Sequence, residues 1–345
     1  MPDSASLDLR ATSKVELHRH LEGSLRLRTI IDLSREAGVP LPGRTAAELA
    51  PRALLVSPVD SLEDALAGFA IAQSSIRSYD AVRRIAREAV EDLDRENVRL
   101  AELRFSPHFL CEPGGLDWDG AMDAVVAGVH EAVDAGCDVA VGLIAIFSRD
   151  YGLESARATV DFALRHHDQL VGFDIAGTEV GFPPRTYRQV LSPLLDSGLG
   201  LTAHYGESGP PDYPREAIET LGVARLGHGL TVAQDDAVRD LVVARGVVLE
   251  MCPTSNWLTG GVASVAEHPV RRLLRDGVKV TINSDDPGYM GIDLSHEWEV
   301  ARTEIRFTDE DLRTVTRTAI DASFLPQHVK DRVRARHFVW LGEGR

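Results

Sequence analysis

The chain has 345 residues, of which 44% are hydrophobic, and its formal net charge is −16 at pH 7. The acidic balance argues against a nucleic-acid partner, and the lack of any run of about 18 apolar residues argues against a membrane span. Closed α/β barrels reach this length as one unit, so we predict a single domain over residues 1–345, with residues 1–12 as a flexible tail. Three cysteines without a C-x-x-C spacing favour a cytoplasmic location.

Eight short runs are rich in apolar and β-branched residues, at positions 15–20, 98–105, 139–147, 171–176, 200–204, 225–228, 247–252 and 278–283. Helical patterns separate them, at positions 79–97, 118–135, 153–165, 184–197, 214–221, 233–245 and 269–275. Near-continuous apolar strands are typical of parallel sheets that are buried on both faces. The repeated alternation predicts an α/β fold of the (β/α)8 TIM-barrel class.

One insertion interrupts the alternation. The region of residues 21–97, between the first and second strands, is too long for a single crossover helix, and it contains helical patterns at 30–37 and 62–74. We interpret these helices as a lid over the C-terminal mouth of the barrel. Extra packing on the side of the barrel is the alternative.

Histidines and one aspartate fall at the ends of the predicted strands. His18 and His20 lie two residues apart on one strand and therefore point to the same side. His204, His228 and Asp285 follow later strands, and active sites of such barrels lie at this face. Three histidines and one aspartate suit a single zinc ion with a position left for water, whose pKa the metal lowers to about 7. His228 is then the spare imidazole, which could accept the water's proton or hold the hydroxide in line.

Two further carboxyl groups lie next to these ligands. Glu207 comes three residues after His204, and it could donate a proton to a substrate nitrogen if its surroundings keep it protonated. Asp286 follows Asp285 directly and is expected either to face the substrate or to support a histidine. The fourth strand has no lysine that could bridge two metals, which favours one metal. The sequence contains no G-x-G-x-x-G or Walker A loop, so it gives no indication of a nucleotide cofactor.

Six segments in the same order resemble the adenosine/adenine deaminase family of metal-dependent hydrolases, at residues 16–24, 173–177, 204–207, 225–229, 252–256 and 284–287. The resemblance implies an aminohydrolase that attacks C6 of a 6-aminopurine and releases ammonia, with one zinc ion per subunit. Its implied ligands are His18, His20, His204 and Asp285.

The resemblance also implies the roles of the remaining residues. Glu207 resembles the proton donor to purine N1, and His228 resembles the residue that activates the attacking water. The implied substrate-binding residues are His20, Glu22, Gly177 and Asp286. Among these, Asp286 is expected to hydrogen-bond N7, and the backbone of Gly177 is expected to lie near N3.

Three departures from the family pattern leave the exact substrate open. Glu22 stands where adenosine deaminases usually have Asp, Thr178 replaces an Asp, and Tyr205 replaces a small residue. Tyr205 could reshape the pocket wall or pack beneath the loop. The leading expectation is a purine nucleoside, adenosine or deoxyadenosine. A 5′-modified analogue of the aminodeoxyfutalosine type, free adenine, and a catalytically silent purine-binding barrel are the alternatives. The oligomeric state is not predicted.

Overall fold

The computed structural model describes residues 6–60, 64, 65 and 68–342. Within them, eight parallel strands lie side by side in chain order. The strands are β1 Lys14–His20, β2 Val98–Phe105, β3 Ala140–Ser148, β4 Gly172–Ala176, β5 Gly200–Tyr205, β6 Arg225–His228, β7 Val248–Met251 and β8 Lys279–Ile282. Each bound lies within one residue of the prediction, and the α/β barrel is confirmed.

The chain segment after β8 closes the barrel against β1 at the C-terminal mouth. The backbone N–H of His20 donates to the carbonyl of Asp285 at 2.9 Å, and the N–H of Asp285 donates to the carbonyl of His18 at 2.9 Å. This pairing brings the first and last candidate ligands together, although more than 260 positions separate them along the chain.

The described α-helices are α1 Leu27–Ala37, α2 Ala46–Ala53, α3 Ala70–Ser74, α4 Tyr79–Arg95, α5 Pro107–Cys111, α6 Trp118–Asp134, α7 Gly152–Arg165, α8 Arg188–Leu191, α9 Tyr213–Glu216, α10 Asp236–Arg245, α11 Pro253–Leu258, α12 Val270–Arg275, α13 Pro287–Met290, α14 Leu294–Thr303, α15 Asp309–Ala322 and α16 Gln327–His337. Side-chain caps fix several of their starts. Ser78 accepts from the N–H of Ala81 at α4, and Thr308 and Asp311 form a capping box at α15.

The continuous helix predicted over residues 184–197 is wrong. The segment divides into a 3₁₀ turn Pro184–Tyr187, the short α8 and a second 3₁₀ turn Ser192–Leu194. Pro193 has no N–H and cannot continue an α-helical bond pattern. In an α-helix the N–H of residue 193 would donate to the carbonyl of Gln189. Here the Ser192 hydroxyl donates to that carbonyl, at 2.9 Å.

The insertion after β1 reaches the barrel mouth. The Tyr289 hydroxyl donates to the carbonyl of Ala65 at 2.8 Å, and the Phe69 ring lies 4.4 Å from the Tyr289 ring. Residues 61–63, 66 and 67 of the predicted helical pattern 62–74 lie outside the described residues. A lid function for this insertion stays a prediction.

Part of the predicted N-terminal tail is anchored. The N–H of Leu7 donates to Asp309 Oδ2 at 3.0 Å, and Arg302 donates to the Leu7 carbonyl at 3.0 Å. Residues 1–5 lie outside the described part of the chain. Over the residues that the structure describes, no helix is long and apolar enough to cross a membrane.

An arginine inside the barrel connects several strands. Arg225 on β6 contacts Glu102 of β2 at 2.5 Å and Glu250 of β7 at 2.6 Å. Its guanidinium also lies 3.7 Å from the centre of the Phe324 ring. All three charged side chains are buried, so each depends on the others for compensation of its charge.

We predict that Arg225→Met lowers the free energy of unfolding by about 3–5 kcal/mol, because Glu102 and Glu250 lose a buried counter-charge. Urea unfolding followed by circular dichroism measures the change. Arg157→Met on the exposed face of α7 is the matched control and should shift stability by less than about 0.5 kcal/mol. Equal stability of the two variants would contradict the compensating role of Arg225.

Candidate metal centre and active site

Four side chains meet at the C-terminal mouth of the barrel with their ligand atoms almost in contact. His18 Nε2 and His20 Nε2 lie 3.2 Å and 3.3 Å from Asp285 Oδ1. His20 Nε2 also lies 3.2 Å from His204 Nε2. His18 and His20 reach this point because they are two residues apart on β1, whereas the other two residues arrive from β5 and from the segment after β8.

These distances fit ligand atoms around a single metal ion. Ligand atoms placed at about 2.0–2.1 Å around a tetrahedral centre are about 3.3 Å apart. The three measured separations among His18, His20, His204 and Asp285, of 3.2, 3.3 and 3.2 Å, agree with that value. Moreover, the buried Nε2 of His18 has no hydrogen-bond partner. A cation at the centre would satisfy this atom, so the residues present fit a bound metal.

Buried carboxylates orient two of the imidazoles. His18 Nδ1 lies 2.7 Å from Glu250 Oε2, and His204 Nδ1 lies 3.1 Å from Asp174 Oδ1. Because each carboxylate can accept a hydrogen bond from the Nδ1–H group, both rings can offer Nε2 to a metal at the centre. Arg104 joins the two carboxylates, at 2.7 Å from Asp174 and 2.8 Å from Glu250. Asp174 and Glu250 were not identified from the sequence. Each is the one charged residue in an apolar strand, and a buried charge needs a partner, which is the signal that could have revealed them.

His228 lies beside the centre at longer distances. Its Nε2 is 3.9 Å from Asp285 Oδ2 and 3.7 Å from Glu207 Oε2. Among the described residues, two groups of potential ligand atoms lie within 4.8 Å of one another. One comes from His18, His204, His228 and Asp285, and the other from His20, Asp285 and Asp286. Both His228 and Asp285 have a left-handed backbone, with φ of 62° and 60°, a strained conformation that is concentrated at functional sites.

The Glu207 carboxyl group is buried beside this centre. Burial, followed by the nearby charge of Asp285, raises the pKa of Glu207 to about 8. Its loop is held by Glu179, which accepts from the N–H groups of Gly206, Glu207 and Ser208 at 2.6, 3.0 and 2.9 Å. The raised pKa favours the protonated form of Glu207 at neutral pH, which is the form that a proton donor requires.

A cavity of about 360 Å³ opens onto these groups. Its lining within the described chain has no lysine or arginine but includes five carboxyl groups, from Glu22, Asp150, Glu207, Asp285 and Asp286. The buried oxygens Glu22 Oε2 and Asp286 Oδ1 have no hydrogen-bond partner there. Apart from the candidate metal ligands, the described lining thus offers a ligand polar groups but no lysine or arginine side chain.

The residues that depart from the family pattern lie in different places. Glu22 and Thr178 line the cavity, as does Gly177 beside Thr178. Tyr205 does not: its ring is buried beneath the loop, its hydroxyl donates to the carbonyl of Phe182 at 3.1 Å, and Arg149 lies 4.3 Å from its centre. Of the two expectations for Tyr205, packing beneath the loop is the one observed.

Comparison with known proteins agrees with this arrangement. Residues 13–337 match the adenosine deaminase family. The chain is 36% identical over 324 residues to an adenosine deaminase from Erwinia tasmaniensis, covering 93% of this chain and 96% of that protein. It is also 36% identical over 311 residues to one from Shewanella denitrificans, covering 90% and 94%.

Solved structures are similar over almost their whole length. An adenine deaminase from Arthrobacter aurescens superposes with a TM-score of 0.89 at 28% identity, covering 96% of this chain and 100% of that one. An amidohydrolase from Burkholderia ambifaria with bound zinc gives 0.86 at 27%, covering 97% and 92%. An N6-methyl-AMP deaminase from Arabidopsis thaliana gives 0.83 at 27%, covering 96% and 97%. With a family match over most of its length and relatives above one-third identity, the chain belongs to the adenosine deaminase family.

Proposed function

We propose that this protein hydrolytically deaminates adenosine and deoxyadenosine at C6 of the purine, with one zinc ion per subunit held by His18, His20, His204 and Asp285. The observation that carries the proposal is the close spacing of these ligand atoms beside the buried Glu207, whose pKa is raised to about 8. The curated relatives at 36% identity are named adenosine deaminases. Zinc would supply a water whose pKa is lowered to about 7.

The protein's own groups perform the proton transfers and hold the base. Glu207 donates its proton to N1, which removes electron density from C6 and makes that carbon electrophilic. Burial and the charge of Asp285 raise the pKa of Asp286, so its carboxyl group is protonated and can donate a hydrogen bond to N7. Its unpartnered Oδ1 supports this assignment. Gly177, which lines the cavity, is assigned to the N3 side of the ring.

The charge of the cavity favours a nucleoside over a nucleotide. One structurally similar protein is an N6-methyl-AMP deaminase, and another from Arabidopsis was solved with GMP. A phosphate needs cationic or N–H partners, and the described cavity lining has no lysine or arginine. The residues of the insertion outside the description, 61–63, 66 and 67, are not basic either. Glu22, with its unpartnered Oε2, is assigned to the sugar hydroxyl groups.

We predict that AMP is deaminated with a kcat/KM at least about 100-fold below that of adenosine, because its phosphate would lose hydration without finding a lysine or arginine in the described cavity lining. The loss of absorbance on conversion to the inosine product measures both rates. Neutral 5′-O-methyladenosine controls for the size of the substituent. Equal rates for AMP and adenosine would contradict the nucleoside assignment.

Free adenine is the second candidate, because a similar solved structure is an adenine deaminase. Ammonia release from adenosine, deoxyadenosine, adenine and a 5′-modified nucleoside of the aminodeoxyfutalosine type separates these possibilities. A higher kcat/KM on adenine than on adenosine would assign the protein to that branch. Turnover of none of these compounds would overturn the deaminase proposal.

We predict that Glu207→Gln lowers kcat by about 100- to 10,000-fold while the zinc content stays at that of the wild type, because the proton donor is lost and no ligand is changed. Steady-state kinetics and elemental analysis provide the two measurements. Glu267→Gln, at an exposed position, is the control and should retain full activity. Near-normal turnover of Glu207→Gln would show that another group protonates N1.

We also propose a cytoplasmic location. Cys111, Cys137 and Cys252 are all free thiols in the structure, as is usual for proteins of a reducing compartment.

A further inference from the structure

Two buried side chains lie behind His228, on the side away from the cavity. Asn256 Nδ2 lies 2.9 Å from His228 Nδ1, and His268 Nε2 lies 3.1 Å from Asn256 Oδ1. The backbone N–H of Val270 donates to His268 Nδ1 at 3.2 Å. Neither Asn256 nor His268 lines the cavity, so neither has a place in the chemistry described so far.

The backbone N–H of Val270 determines which atom donates in each hydrogen bond between Val270, His268, Asn256 and His228. The N–H of Val270 can only donate, so His268 Nδ1 must be unprotonated. Burial lowers the pKa of His268 to about 3, and the neutral ring therefore carries its proton on Nε2. That N–H needs an acceptor, which fixes the Asn256 amide with its oxygen toward His268 and its nitrogen toward His228. The amide nitrogen donates to His228 Nδ1, which must also be unprotonated.

We infer that Asn256 and His268 are positioning residues that hold His228 in the tautomer with its proton on Nε2. This N–H faces the cavity, 3.7 Å from Glu207 Oε2. A protonated Nε2 has no free electron pair, so His228 can neither bind a cation through that atom nor take a proton there. This removes His228 from the grouping that it forms with His18, His204 and Asp285, and it leaves those three residues, with His20, as the proposed ligands.

The consequence for the reaction rests on the proposed function. His228 then acts as a hydrogen-bond donor to the oxygen that adds to C6, and it stabilises the negative charge that develops on that oxygen. It is not the base that removes the water's proton. The donor is pre-oriented, because Asn256 and His268 are 0% and 4% exposed and cannot exchange their bonds for water.

The Asn256→Asp substitution offers a direct test. The aspartate side chain has nearly the same shape as the asparagine and still accepts from His268, but a carboxylate oxygen takes the place of the amide donor that faces His228. We expect the proton of His228 to move from Nε2 to Nδ1. Two-bond proton–nitrogen correlation spectra of protein labelled with ¹⁵N-histidine distinguish the tautomers, both with and without added zinc, and the His228→Asn spectrum identifies the signals of His228.

We expect a wild-type spectrum with a bare Nδ1 and a protonated Nε2, and the reverse in Asn256→Asp. In the same variant, kcat should fall by about 100- to 1,000-fold, as for loss of one oxyanion donor, with little change in KM. His268→Gln retains a donor to Asn256 and should keep the wild-type tautomer, whereas His268→Ala should give a mixture.

A wild-type His228 with a protonated Nδ1 would overturn the inference even if every variant failed to fold. So would an unchanged tautomer in Asn256→Asp. Because the spectra do not depend on turnover, this outcome is distinct from a failure of the proposed deaminase activity, which the substrate panel decides.

Discussion

The ligand atoms of His18 and His20 lie 3.2 and 3.3 Å from that of Asp285, and those of His20 and His204 lie 3.2 Å apart, in a largely buried space that the surrounding structure maintains. Such atoms repel one another unless a cation lies between them. The barrel holds them by closing β1 against the chain after β8, and by placing Glu250 and Asp174 behind the imidazoles. Arg104 compensates both carboxylates and thereby keeps them charged in the interior.

The strand ends were predictable because a parallel barrel places them all at one face. The two-residue spacing of His18 and His20 and the apolar strands before His204 and His228 carried that information in short stretches of sequence. Their partners could not be located in this way. Glu250 and Asp174 orient histidines from other strands, and only the curvature and register of the closed sheet decide which carboxylate meets which ring.

One error had a local cause: the interval 184–197 has helical periodicity, yet Pro193 divides it into short turns. Other features depended on packing that local patterns do not encode. The sequence does not show whether Tyr205 forms a wall of the pocket or packs in the interior. In the structure its ring is buried, with the Arg149 guanidinium above it. Asn256 lies in the segment 252–256, which resembles the family, but its partner His268 lies on a later loop and belongs to no motif.

The cavity relies on carboxyl groups for tasks that other proteins give to amides and hydroxyls. Burial raises the pKa of Glu22 and Glu207, to about 7 and about 8, and that of Asp286, so these groups can donate hydrogen bonds as acids. The described lining of the cavity also lacks a lysine or arginine that could bind a phosphate. X-ray absorption at the zinc edge of the purified enzyme tests the central claim most directly. The account predicts one zinc per chain, with only nitrogen and oxygen neighbours at about 2.0–2.1 Å and the scattering pattern of three imidazoles. A sulfur neighbour, a second metal at about 3.5–4 Å, or active protein without any metal would contradict it.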